Sequence, residues 1–148
     1  MEILNTIGFE NLIMTSIDDF IKTYYYDFKH NNSDIINILN LEEDIKRLEK
    51  LGTYFAKLTI HFHEFYKYNS KLKALTCIIA GFDSYRNEGK LRNKKAEEFF
   101  REWILFIINY NGFNSYLINE VYCKLMEFYS NYENIPLINF NLKKFYWK

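Results

Sequence analysis

The chain has 148 residues, 19 of them basic and 19 acidic, for a formal net charge of zero at pH 7. That length suits one domain with a core that needs no covalent staples, and the balanced charge argues against whole-chain affinity for nucleic acid or an anionic membrane. Hydrophobic residues make up 49% and aromatics 20%, with only one proline and five glycines to break helices, so the expected class is all-α. The surplus of Tyr, Phe, Asn, Ile and Lys is what an AT-biased coding sequence supplies, and the aromatic load is given little functional weight.

In chain order, a short helix ends near Ile7 and a linker runs from Gly8 to Met14. A helix from Ser16 to about Phe28 sets Ile17, Phe20, Ile21, Tyr24 and Phe28 on one face, with Asp18 and Asp19 in its first turn where acids complement the dipole. His30 to Asn40 reads as a polar connection with one helical turn at most. Leu41 to Phe62 is amphipathic, with Leu48, Leu51, Phe55, Leu58 and Phe62 at spacings of three and four. The next helix, Ser70 to about Tyr85, has no stripe: Leu72, Ala74, Leu75, Cys77, Ile78, Ile79, Ala80 and Phe82 surround its axis. Such a helix must be enclosed by others. Its apolar run falls far short of the roughly 20 residues a membrane span needs. Arg86 to Asn93 is a loop. Helices from Ala96 to Tyr110 and from Ser115 to Tyr132 follow, the last with Leu117, Val121, Leu125, Phe128 and Tyr132 on one face, and Pro136 marks its end.

Chemistry-bearing motifs are sparse. His61, His63 and Glu64 form the one cluster with metal-ligand character. On a helix His61 and His63 point to different faces, and a zinc protease arrangement needs histidines at i and i+4, so no metal site is assigned; a helical metal-dependent enzyme using the cluster is the alternative from another class. No Gly-rich phosphate loop or base-paired nucleophile is visible. Cys77 and Cys123 lie in apolar helices as small buried hydrophobes of a reducing compartment. No secretory signal is seen at the N-terminus. Lys90, Arg92, Lys94 and Lys95 cluster before the Ala96 helix, and Lys143, Lys144 and Lys148 interleave with Phe145, Tyr146 and Trp147. Basic and aromatic side chains together suit single-stranded nucleic acid, but a solvated loop and a docked tail explain them more simply.

The order of these phrases resembles the C-terminal box of A- and B-type cyclins. Leu51 to Ile60 (LGTYFAKLTI) is similar to the phrase closing one of that box's helices, and Phe65 to Ala74 (FYKYNSKLKA) to the phrase opening its enclosed helix. Ile3 to Glu10 (ILNTIGFE) resembles the close of a first cyclin box, and Thr15 to Ile21 the opening of the second. Trp103 with Tyr110 to Phe113, and Leu117 to Tyr132, match its later parts. Met14 and Asn69 stand where the family has prolines, and Asn11 where it has an apolar residue.

The resemblance implies a five-helix cyclin-box-like bundle around a central apolar helix. Residues 1–14 would be the end of a preceding box helix plus a linker, and residues 15–148 the C-terminal box with its tail. It further implies a regulatory, non-enzymatic, protein-binding module in the nucleus or cytoplasm that contacts a cyclin-dependent serine/threonine kinase in cell-cycle control. A helical adaptor in transcription is a further alternative, since general transcription factors reuse the same box. The box that does most of the activating in that family is absent from this chain, so no kinase activation by these residues alone is expected. Leu4 and Phe9 match positions lying against the kinase and are the candidate partner-binding residues. No cofactor, metal, small-molecule substrate, membrane or nucleic acid is implied.

Overall fold

The computed structural model describes the backbone of residues 2–91 and 93–133, and the side chains of residues 16–91 and 93–133. Its elements are α1 (Glu2–Asn31), α2 (Ser33–Leu39), α3 (Glu42–His61), a 3-10 turn (His63–Phe65), α4 (Ser70–Asn87), α5 (Lys94–Asn111) and α6 (Ser115–Glu133). Among the described residues there is no strand, and the chain is all-α.

Helix α4 is the hub. Every residue from Leu72 to Tyr85 is buried, because a helix that is apolar all round gains nothing from water on any side. Leu75, Ile78 and Ile79 are wholly inaccessible and Phe82 nearly so, with α1, α3, α5 and α6 packed around them. The helix starts without a proline because the Asn69 side chain does the capping, accepting the Lys71 amide at 2.7 Å. Inside α4, the Thr76 hydroxyl donates to the Leu72 carbonyl at 2.8 Å, so a polar group is buried with a partner.

The α3–α4 seam is closed by two glycines. A Cβ on Gly81 would lie 3.1 Å from the Gly52 amide nitrogen and 3.2 Å from the Leu51 Cβ. The missing side chain is what lets the two helices approach so closely. A Cβ on Gly52 would meet only the Ile21 side chain, at 3.5 Å, and the Cys77 carbonyl, at 3.9 Å.

Polar contacts fasten the C-terminal end of α4 to three helices. Asp83, 1% exposed, accepts from the Tyr122 hydroxyl of α6 and from the Arg86 guanidinium. Arg86 reaches on to Glu97 of α5 at 3.4 Å, and the Tyr85 hydroxyl donates to Asp44 of α3. A buried carboxylate is tolerable only when paired and hydrogen-bonded in this way.

Three features differ from the sequence reading. The expected linker from Gly8 to Met14 is helical, and α1 runs unbroken from Glu2 to Asn31. With Met14 in place of a proline no backbone donor is lost and no ring clashes, and an interior glycine weakens a helix by only about 1 kcal/mol without ending it. The connection after it holds a two-turn helix, α2, anchored by buried Ile36 and stopped by Asn40 in the left-handed region, φ 55°. Finally, α1 buries the expected Ile17, Ile21 and Phe28 and α6 the expected Val121 and Leu125, but each core face differs at its margin. Tyr25 is buried while Phe20 and Tyr24 are half-buried, and Ile118, Tyr122 and Tyr129 take the core while Leu117 and Tyr132 are exposed.

Two predictions follow from this packing. Gly81→Ala should lower the unfolding free energy by about 1–2 kcal/mol, overpacking outweighing a helix-propensity gain of up to about 1 kcal/mol. Gly52→Ala should be neutral or raise it by about 0.5–1 kcal/mol. Denaturant titration of both checks this, and an undisturbed Gly81→Ala would mean the seam is not so tight.

The second concerns alkali. Burial raises the phenol pKa of Tyr25, Tyr54, Tyr85, Tyr122 and Tyr129, and pushes Tyr68 up to about 12, with its bond to Glu120 adding to the effect. Folding thus holds these protons more tightly than the unfolded chain does. The stability they contribute is full below the unfolded value of about 10 and is lost as pH rises through the folded values. Denaturation midpoints should be insensitive to these groups up to about pH 9 and fall steeply above about pH 10, in step with phenolate absorbance; a flat profile to pH 12 would refute the assignment.

Candidate functional site

Phe20 and Tyr24 left the core face because a second surface needs them. On α5, Phe100, Ile104, Ile107 and Ile108 are buried, and beside them Phe99, Trp103, Phe106 and Tyr110 recur at spacings of four, three and four. One helix therefore carries two apolar stripes, one for α4 and one left over. The second stripe faces Phe20, Tyr24 and Phe28 of α1 across a groove of about 770 Å³, within the few hundred to 1,000 Å³ usual for ligand sites.

Ring packing forms the floor. Phe28 meets Trp103 edge-on at 4.5 Å between centroids and Phe99 at 5.1 Å, and Tyr25 lies 5.0 Å from Trp103 beneath. At the rim, Phe106 and Tyr110 stack at 5.7 Å while 63% and 78% exposed. Asp27 and Glu102 join the wall, and Lys71 stands at the Phe20 end with its ammonium 6.0 Å from that ring's centroid.

The Tyr24 hydroxyl is enclosed yet has no hydrogen-bond partner among the described residues. Burial raises its pKa, and nearby Asn111 partly offsets that. The Asn111 amide nitrogen donates to the Ile107 carbonyl at 2.8 Å, and no hydrogen bond of normal geometry links it to Tyr24. A buried hydroxyl left in this state is costly.

Elsewhere, the residues singled out from sequence do not assemble a site. His61 stacks on Tyr132 at 6.4 Å, while His63 turns its Nδ1 to Glu64 at 3.4 Å. Among the described residues no three His, Cys, Asp or Glu gather as metal ligands do. Phe62 and Phe65 between them pack inward on Phe128. Leu4 and Phe9 fall within α1, but their side chains lie outside the described residues. So do Arg92 and the basic and aromatic tail, and Lys90 is paired with Glu88 at 2.9 Å. Lys73, on the enclosed α4, is buried, and desolvation lowers its pKa. Neither cysteine is in a disulfide, and burial raises the pKa of both thiols, Cys77 deep in the core and Cys123 half-buried. No described helix is long and apolar enough to cross a membrane.

Compared with family models, curated proteins and solved structures, the chain gives no match.

The contrast between two tyrosines is testable. Tyr24→Phe removes an unsatisfied hydroxyl and should leave stability unchanged or raise it by up to about 1 kcal/mol. Tyr122→Phe strips a donor from buried Asp83 and should lower it by about 1–3 kcal/mol. Equal losses in the two variants would show that Tyr24 is satisfied after all.

Proposed function

We propose that this chain is a cyclin-type regulatory module, a non-catalytic helical domain that binds a cyclin-dependent serine/threonine kinase in cell-cycle control. The observation that carries the reading is the run from α3 through the 3-10 turn into α4. The phrase Leu51 to Ile60 closes an amphipathic helix and the phrase Phe65 to Ala74 opens one buried on all sides. That succession is the one the resemblance implies. The four helices around α4 add support, because a module built to enclose a helix leaves its outer faces free for contact.

Leu4 and Phe9 are the kinase-facing residues on this reading. Both belong to the continuous α1, and five residues of helix set their Cα atoms about 140° apart around the axis. One flat partner surface therefore takes one of them at its centre. Burying such a side chain is worth roughly 1.5–3 kcal/mol before ordering costs. Leu4→Ala and Phe9→Ala, made separately, should show a loss of about tenfold or more in kinase affinity for one variant, with melting temperature nearly unchanged for that variant. Titration against a panel of cyclin-dependent kinases measures this. No binding by the parent chain to any of them would overturn the reading.

A further inference from the structure

We infer that the groove between α1 and α5 is a docking site for a short amphipathic helix of a partner protein, one that presents apolar side chains and at least one Lys or Arg. Its shape comes first. Phe28 pairs with Phe99 and Trp103, while Tyr24 lies by Asn111, so the two helices run in opposite directions and leave a straight furrow. Its walls, Phe20 to Asn32 and Phe99 to Asn111, extend roughly 17 Å at 1.5 Å per residue, the length of about three helical turns. Helix-in-groove recognition uses anchors at i, i+3 or i+4, and i+7, and exposed Phe106 and Tyr110 offer the apolar rim such anchors cover.

Charge selects the partner. Asp27 and Glu102 flank the Phe28–Trp103 contact, and neither makes an ion pair or hydrogen bond among the described residues. Lys71 is at the far end, engaged with the Phe20 ring. The middle of the furrow is thus acidic over an aromatic floor, which favours a cationic side chain by ion pairing at the wall and by the ring faces. Tyr24 lies along the same wall, its hydroxyl enclosed and without a partner among the described residues. A second copy of the chain is the poorer fit, because a two-fold contact sets a patch against itself and would bring these carboxylates together.

The test uses the full chain with Trp147→Phe, which leaves Trp103 the sole tryptophan. The probes are a synthetic amphipathic helical peptide of Leu, Phe and Lys, and its counterpart with every Lys replaced by Glu. The Lys peptide should shift Trp103 fluorescence saturably, with affinity falling as salt rises; the Glu peptide should not. Asp27→Asn with Glu102→Gln should weaken binding about fivefold, and Phe106→Ala with Tyr110→Ala about tenfold or more. These side chains are exposed or unpartnered, so circular dichroism and melting should confirm unchanged folding. Absence of Lys-peptide binding, equal binding of both peptides, or indifference to the variants each overturns the proposal. Sedimentation showing a dimer that Phe106→Ala with Tyr110→Ala dissolves would assign the groove to a second copy instead. Peptide binding can succeed while every kinase fails to bind, so the two readings fall separately.

Discussion

Gly81 lying against the Gly52 backbone is the constraint from which the rest of the architecture follows. Interaxial distance between packed helices is set by the side chains at the crossing, and here there are none. The close approach lets α3 cover one flank of α4 at short range and carries Leu48, Phe55, Ala56 and Leu58 into the core. It leaves Ile21 of α1 room to fill the notch beside Gly52. Had either crossing residue been large, α3 would stand further off and α4 would lose part of the enclosure that its apolar surface requires.

That seam fixes position, and the polar contacts at the end of α4 fix register. Asp83 to Tyr122, Arg86 to Glu97 and Tyr85 to Asp44 tie α6, α5 and α3 to one turn of the central helix. At the other end Tyr68 bonds Glu120 of α6. Apolar packing alone tolerates rotation of a helix by a fraction of a turn. Directional bonds at both ends do not. This accounts for α6 turning Ile118, Tyr122 and Tyr129 inward beside the expected Val121 and Leu125, while Leu117 and Tyr132 at the ends of the expected stripe stay exposed.

Much of the fold was legible in the sequence, since α4's lack of a polar face dictates its burial and Asn69 and Asn93 are strong caps. What was not legible has physical causes. Phe20 and Tyr24 fit an apolar stripe as well as Ile17, Ile21 and Tyr25 do, and periodicity cannot say which half of a broad apolar arc faces the core. The linker expected from Gly8 to Met14 does not form, because an interior glycine alone does not end a helix and Met14 keeps the backbone donor that a proline would lack. The groove had a sequence signal in the second aromatic stripe of α5. Weighing aromatics as compositional bias hid it. The pairing of Asp83 with Tyr122 joins residues 39 apart and left no local trace.

Seen together, the two interhelical seams differ in kind. Where α3 meets α4, glycines let backbones approach until no space remains. Where α5 meets α1, Phe28, Phe99 and Trp103 hold the helices apart by the width of aromatic rings. Rings that touch edge-on cannot also fill the furrow above them, so a concave apolar strip persists among the described residues. Among the described residues Phe106 and Tyr110 are left in water and Tyr24 without a partner, which is unfavourable. A surface that is costly when empty gains that free energy back on occupation. The α1–α5 seam thus holds the bundle through its ring floor and still presents apolar surface above it that a partner of the kind proposed would cover.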